Sequence, residues 1–206
     1  MNKPRHFSMI REFFLADWFT LANAVCGMGA VLALMGSLQA DSRPLMLLAG
    51  ALIPLALLFD VLDGRIARWR HQQSSLGREL DSLADVISFG VAPAAFAYAA
   101  GMQGGWDIIV LVCFVACGVS RLARYNVTAE SMSADTGKVT YFEGTPIPSS
   151  VLLVLLLTAA VWLGATGPAL WFGVWQLGPW QLHPLVLLFA LSGSLMISRT
   201  LRIPKL

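Results

Sequence analysis

Four aspartates lie where apolar stretches of the chain give way to polar ones: Asp60, Asp63, Asp81 and Asp85. The first two are three residues apart and the last two are four apart, so each pair shares one face of a helix. If residues 69–75 form a short turn, two helices can lie antiparallel and the acidic faces can meet. Carboxylates that converge in a partly dry site repel one another unless cations lie between them.

The ligand chemistry of this cluster is that of a hard metal ion. Oxygen-only ligation, without histidine or cysteine, suits Mg²⁺ or Mn²⁺, with Ca²⁺ also possible, rather than Zn²⁺. Two divalent ions would balance four negative charges. We therefore expect the four aspartates to be candidate ligands of two divalent ions.

Small residues extend the two acidic faces. Gly64 and Ala67 continue the face of the first acid pair, and Gly77 lies one helical turn before Asp81. These positions leave room for a bulky group against the backbone, and Arg68 could pair with a phosphate. Together, the metal ligands, the arginine and the space beside the small residues indicate phosphate-ester chemistry. Taken singly, a small residue can serve helix packing, and an arginine near the membrane surface can be a topology signal.

The composition indicates the environment in which these residues must be positioned. Hydrophobic residues make up 57% and charged residues 13% of the 206 residues, whereas a soluble domain carries about 25% charged residues. The chain is therefore predicted to be an integral membrane protein. Its net charge of +2 gives no indication of a nucleic-acid partner.

The predicted fold is an all-α membrane protein with six transmembrane helices in one domain, residues 1–206. A helix needs about 20 apolar residues to cross a bilayer. The candidate spans are residues 18–38, 45–62, 82–100, 106–122, 147–163 and 184–197. Residues 164–183 are interrupted by glycine and proline, so we predict an interfacial loop there.

The distribution of basic residues predicts the orientation. If both termini are cytoplasmic, every lysine and arginine except Arg43 lies on the inner side. The tryptophans then fall near the two predicted membrane surfaces, as in an aromatic belt. The acid cluster is therefore expected at the inner ends of the second and third helices.

The order of the residues in the segment also resembles a known family. Residues 60–85 read Asp-x2-Asp-Gly-x2-Ala-Arg-x8-Gly-x3-Asp-x3-Asp. This pattern is similar to the signature of the CDP-alcohol phosphatidyltransferases at each defining position. The resemblance implies six membrane helices, an inner active site and a homodimer.

The resemblance also implies a role for each residue of the pattern. Asp60, Asp63 and Asp81 would hold two metal ions, and Asp85 would be both a further ligand and the general base. The nucleotide would be bound by the remaining members of the pattern: Gly64, Ala67 and Gly77 beside the cytidine, and Arg68 at its phosphates.

Residues 16–27, 81–93, 121–126 and 141–148 resemble the branch of the family that uses L-serine as the acceptor alcohol. This similarity implies transfer of a phosphatidyl group from CDP-diacylglycerol to L-serine in the cytoplasmic membrane of a prokaryote, with membrane lipid as the surroundings. Another acceptor, such as glycerol 3-phosphate, an inositol compound or choline, is the alternative within the same chemistry.

Two pairs of polar residues outside the pattern are further binding candidates. Thr20 and Asn23 could hydrogen-bond the cytosine or ribose, or could join helices to each other. Arg121 and Arg124 could bind the lipid phosphate or the serine carboxylate, or could simply be positive charge on the inner side.

Two classes of protein other than an enzyme could carry such an acid cluster. A cation transporter could use the carboxylates as its ion site, but transport predicts acids near the bilayer midplane and broken helices. A catalytically inactive scaffold would not need the complete set of four acids.

Overall fold

The chain is mostly helical. The computed structural model describes residues 13–40, 42–70, 75–133, 141–198 and 202–204, and for residues 75, 128–133, 141–143 and 202–204 it describes the backbone alone. The α-helices of the described part are α1 (Leu15–Ala40), α2 (Arg43–Trp69), α3 (Ser75–Asp85), α4 (Ala92–Ala100), α5 (Gly105–Ser133), α6 (Val151–Trp162) and α7 (Leu187–Ile197). A π-helix, Val86–Val91, joins α3 to α4.

Among the described residues, four helical segments are long and apolar enough to cross a membrane: α1, α2, Leu76–Ala100 and Gly105–Val127. The two other predicted spans correspond to the shorter apolar helices Ile147–Trp162 and Pro184–Ile197. Each of these begins with a 3₁₀ turn that contains a proline near its start. The structure thus gives a mostly helical membrane protein with four long spans, and six crossings stay a prediction.

The two helices that carry the aspartates extend beyond the apolar spans, as far as the turn predicted at residues 69–75. The second helix continues past residue 62 to Trp69, and the third begins at Ser75 rather than at 82. Hydropathy locates only the apolar part of a helix, whereas backbone hydrogen bonding continues into polar residues. All four aspartates therefore lie within regular α-helix.

The prediction of an all-α fold also missed four short strands. β2 (Trp175–Leu177) and β3 (Trp180–Leu182) form an antiparallel hairpin in the predicted interfacial loop. Its two-residue turn contains Gly178, whose φ of +63° favours glycine. β1 (Tyr141–Glu143) pairs with β4 (Arg202–Pro204), so two segments far apart in sequence lie side by side.

The hairpin is fixed at the end of the bundle opposite the aspartates. Asp107 is fully buried in the first turn of α5, and its carboxylate accepts hydrogen bonds from the backbone N–H of Gly104 (2.9 Å) and of His183 (2.8 Å). Its Oδ2 also lies 2.6 Å from Nδ1 of His183. The Trp106 indole donates to the Leu177 carbonyl at 3.0 Å. The loop therefore has a defined structure.

One apolar core joins the helices, and small residues let their backbones approach closely. A Cβ on Gly27 of α1 would lie 2.8 Å from Cα of Ser88 in the π-helix. Large apolar side chains on the outer surface remain exposed, among them Leu32, Leu58 and Leu152. Exposed apolar side chains around a packed interior are what a lipid environment requires.

The π-helix is supported by a side chain from the neighbouring helical segment. Pro93 has no N–H, so it cannot donate to the Phe89 carbonyl four residues earlier. Ser150, on the 3₁₀ turn before α6, donates its hydroxyl to that carbonyl at 2.7 Å. Ser150 and Phe89 are both fully buried. The bond gives the Phe89 carbonyl a hydrogen-bond partner, which lipid cannot supply.

Candidate active site

The structure brings three of the four aspartates together. Asp60 and Asp63 lie near the C-terminal end of α2, and Asp81 lies on α3. One carboxylate oxygen from each of these residues lies within 4.8 Å of the others. Asp63 is buried, while Asp60 and Asp81 are half-buried. The predicted meeting of two acidic helix faces is thus present in the fold.

Asp85 lies one turn further along α3 and is also buried, with 7% of its surface exposed. It is close enough to Asp60, Asp81 and Asp63 to interact with them electrostatically. The four acids therefore form one electrostatic cluster, although Asp85 does not share the tight three-carboxylate arrangement.

Helix α1 supplies a hydrogen bond to an acid from each of its two predicted polar residues. The Thr20 hydroxyl donates to Oδ2 of Asp63 at 2.6 Å. The Asn23 amide donates to Oδ1 of Asp85 at 3.3 Å. Both donors are at least nine-tenths buried, so α1 holds carboxylates of both acidic helices in place.

A backbone contact fixes the position of Asn23. The hydroxyl of Ser88, in the π-helix, donates to the Asn23 carbonyl at 3.0 Å. One helical turn further along α1, Gly27 allows the close approach of the two backbones. The side-chain Oδ1 of Asn23 is buried and has no hydrogen-bond partner among the described residues, which leaves an acceptor for a bound group.

The carboxylate cluster fits a hard divalent cation. Its donors are all carboxylate oxygens, the ligands that Mg²⁺, Mn²⁺ and Ca²⁺ prefer. Oδ1 of Asp81 is buried and lacks a hydrogen-bond partner within the described part of the chain. An uncompensated buried carboxylate oxygen is costly, and a bound cation would remove that cost.

The small residues of the pattern border open space or lie half-buried. A Cβ on Gly64 would meet no atom of the described residues within 4 Å, so packing against this part of the chain does not require glycine there. Ala67 and Gly77 are half-buried. The Arg68 side chain is exposed, and the structure gives it no described contact with the acids.

Arg121 comes to the cluster from α5. Its side chain is half-buried and close enough to Asp85 for electrostatic interaction. Its Nε is buried without a hydrogen-bond partner among the residues that the structure describes. Arg124, one turn later, is half-buried. The structure thus brings Arg121 close to Asp85.

Sequence reasoning missed a polar contact between α3 and α5. Asn126 donates its amide to the hydroxyl of Ser82 at 3.0 Å and to the carboxylate of Glu79 at 3.3 Å. Asp17, also not predicted, accepts a hydrogen bond from the Phe14 backbone N–H at 2.8 Å and caps α1. An acid in the first turn of a helix is a usable capping signal, whereas the Asn126 contacts depend on the packing of two helices.

The family model described as CDP-alcohol phosphatidyltransferase matches residues 13–180, which include all four aspartates. The chain belongs to the CDP-alcohol phosphatidyltransferase family. The membership predicted from residues 60–85 is confirmed.

Several relatives of the chain are enzymes whose names refer to serine. The chain is 42% identical over 207 residues to the CDP-diacylglycerol–serine O-phosphatidyltransferase of Saccharomyces cerevisiae, covering 99% of this chain and 75% of the relative. It is 37% identical over 190 residues to the protein of the same name in Mycobacterium bovis, covering 91% and 63% respectively. It is also 39% identical over 144 residues to an archaetidylserine synthase of Methanothermobacter thermautotrophicus, covering 68% and 55%. The chain thus spans just under two thirds of the second relative and about half of the third.

Proposed function

We propose that this family member transfers a phosphatidyl group from CDP-diacylglycerol to L-serine, giving phosphatidylserine and CMP. The serine hydroxyl oxygen forms a new bond to the phosphorus of the phosphatidyl group. The bond between that phosphorus and the CMP oxygen breaks, and CMP leaves. The observation that carries the proposal is the convergence of Asp60, Asp63 and Asp81 beside a buried Asp85, in a chain of this family.

The choice of serine rests on the relatives. The yeast and mycobacterial proteins are named for transfer to serine, and the archaeal protein is named for a serine-containing lipid. The lipid part of the name differs between them, while serine is shared. The names therefore support the acceptor more strongly than the lipid donor.

The proton of the acceptor hydroxyl goes to Asp85 in this proposal. A positioned carboxylate can serve as general base when it lies within hydrogen-bond reach of the proton that it removes. Asn23 donates to one oxygen of Asp85 and leaves the other oxygen for the acceptor. Arg121, close to Asp85, supplies positive charge where an anionic substrate group can bind.

The metal ions would be held by Asp60, Asp63 and Asp81, with Asp85 as a further ligand. When bound, divalent cations neutralise the diphosphate and stabilise the departing CMP. Thr20 orients Asp63 by its hydrogen bond. We propose Mg²⁺ or Mn²⁺ as the ion, because carboxylate donors together with substrate phosphates suit both.

The nucleotide would lie over the small residues of the pattern. The open space beside Gly64 can accept the cytidine, with Ala67 and Gly77 along the same boundary. The Arg68 side chain is exposed and can turn towards the phosphates. These four residues are the proposed donor-binding residues, together with Arg124 near the lipid phosphate.

We further propose six crossings, with both termini and the active site on the cytoplasmic side of a prokaryotic inner membrane, and a homodimeric assembly. The distribution of lysine and arginine supports this orientation. The exposed Trp162 and Trp175 lie at the hairpin end of the bundle, where an aromatic belt is expected. Thiol-labelling of single cysteines placed at Gln176 and near Gly64 tests the orientation, and light scattering in detergent tests the dimer.

The deciding experiment supplies different acceptors to the purified protein. The protein is incubated with CDP-diacylglycerol, Mn²⁺ or Mg²⁺, and one of L-serine, glycerol 3-phosphate, inositol or choline, and CMP release is measured. We expect release with serine and formation of phosphatidylserine in equal amount. CMP release with another alcohol but not with serine would contradict serine as the acceptor. It would still support transfer of a phosphatidyl group from CDP-diacylglycerol.

A further inference from the structure

We propose that Thr145 binds the carboxylate of the amino-acid acceptor together with Arg121, and so selects an amino acid over a simple alcohol. The inference rests on the transfer to serine proposed above. It assigns a substrate contact to Thr145, which lies outside the aspartate pattern.

Three backbone segments meet at one point beside the cluster. The side chain of Ile147 fills the space left by two glycines on neighbouring segments. Its Cδ1 would lie 2.7 Å from a Cβ on Gly118 of α5 and 3.9 Å from a Cβ on Gly90 of the π-helix. The 3₁₀ turn that begins at Ile147 is therefore packed directly between the other two segments.

Each of the three segments carries a polar group on the same side of this contact. Asp85 precedes Gly90 in the chain, and Thr145 precedes Ile147. Helix α5 runs in the opposite direction, so Arg121, which follows Gly118 by about one turn, extends towards the same end. The interaction between Arg121 and Asp85 shows that at least these two groups converge.

Thr145 and Arg121 both have unused hydrogen-bonding atoms. Oγ1 of Thr145 and Nε of Arg121 are buried without hydrogen-bond partners among the described residues. A buried polar atom without a partner costs stability, and in a native protein it calls for an explanation such as a bound group. A hydroxyl and a guanidinium can both donate, and a carboxylate accepts from both.

Contacts with α7 fix the backbone around Thr145 in place. The Thr145 N–H donates to the Leu195 carbonyl at 3.2 Å. Gly144 has a φ of +73°, and a Cβ there would lie 3.0 Å from the same carbonyl. The backbone of the turn is thus held against α7, two residues before Ile147 packs against the segment that carries Arg121.

The substitution that isolates the hydroxyl is Thr145→Val, which keeps the shape of the side chain. CMP release is measured against serine concentration at saturating CDP-diacylglycerol. We expect the KM for serine to rise about 10- to 100-fold, the effect of losing one hydrogen bond to a charged group. The KM for CDP-diacylglycerol should not change. Thr145→Ser, which retains the hydroxyl, should restore the KM for serine.

Two further measurements separate substrate binding from packing. Ethanolamine, which lacks the carboxylate, is tested as acceptor, and Thr145→Val should narrow the preference of the enzyme for serine over ethanolamine. Thr158→Val is the matched control, since the Thr158 hydroxyl bonds only to the Val154 carbonyl of its own helix in the described structure. It should leave the KM for serine unchanged.

An unchanged KM for serine and an unchanged preference over ethanolamine in Thr145→Val would overturn the inference while leaving serine transfer intact. A wild-type protein that uses another alcohol and not serine would contradict the proposed function, and this inference with it. If Thr145→Val does not fold in detergent, comparing Thr145→Ala with Thr145→Ser decides the same question.

Discussion

The hydroxyl of Thr20 donates a hydrogen bond to Oδ2 of Asp63 at 2.6 Å, between two buried side chains 43 residues apart in the chain. The bond joins α1 to α2 at the level of the carboxylate cluster. It restricts the rotation of the Asp63 carboxylate. Helix α1, which carries none of the four acids, therefore has a part in shaping their arrangement.

Thr20→Val should weaken metal binding more than it weakens the fold. Loss of a hydrogen bond that orients a metal ligand lowers metal affinity about 10- to 100-fold. We therefore expect the Mn²⁺ or Mg²⁺ concentration that gives half-maximal CMP release to rise by about this factor. Thr20→Ser, which keeps the donor, should behave like the wild type. Equal metal requirements in Thr20→Val and the wild type would show that the bond does not position a ligand.

Substitution by alanine should affect stability at Gly27 and substrate binding at Gly64. At Gly27 a Cβ would lie 2.8 Å from the Ser88 backbone, whereas at Gly64 it would meet open space. Gly27→Ala should lower the melting temperature, because the π-helix must move. Gly64→Ala should leave it unchanged and raise the KM for CDP-diacylglycerol. Thermal unfolding in detergent and the same CMP assay measure both, and a melting temperature lowered equally in the two variants would contradict this distinction.

Ser150→Ala should destabilise the protein by about 1–3 kcal/mol, the cost of leaving the buried Phe89 carbonyl without its partner. The Phe89 carbonyl lacks a backbone donor because Pro93 has no N–H. The loss of stability from Ser150→Ala should therefore be small in a Pro93→Ala background, which restores that N–H. A double-mutant cycle by denaturant unfolding measures the coupling. Additive losses from the two substitutions would argue against this relationship.

The aspartate cluster could be predicted from sequence because helical periodicity is local. The spacing of Asp60 and Asp63 on one helix, and of Asp81 and Asp85 on the next, fixes which face each pair occupies. Joining two such helices in antiparallel order then requires only a short connection. The structure places one oxygen each of Asp60, Asp63 and Asp81 within 4.8 Å of one another. The pattern of spacing was sufficient to predict this meeting.

The contacts of Thr145 and Ser150 could not be predicted in the same way. Ser150 bonds to Phe89, 61 residues earlier in the chain, and no local period connects them. The π-helix was also missed, since its hydrogen bonds span five residues instead of four and no local period of residue types marks that change. The strands β1 and β4 were missed for the same reason, because they pair across a long stretch of intervening chain.

The most direct test of the central claim compares the wild type with Asp85→Asn for serine-dependent CMP release in the same detergent and metal. The wild type should release CMP only when serine is present, with phosphatidylserine formed in equal amount. Asp85→Asn should keep the wild-type melting temperature and lose activity about 10²- to 10⁴-fold, the contribution of a positioned general base. Wild-type activity in Asp85→Asn, or CMP release that does not depend on serine, would contradict the account.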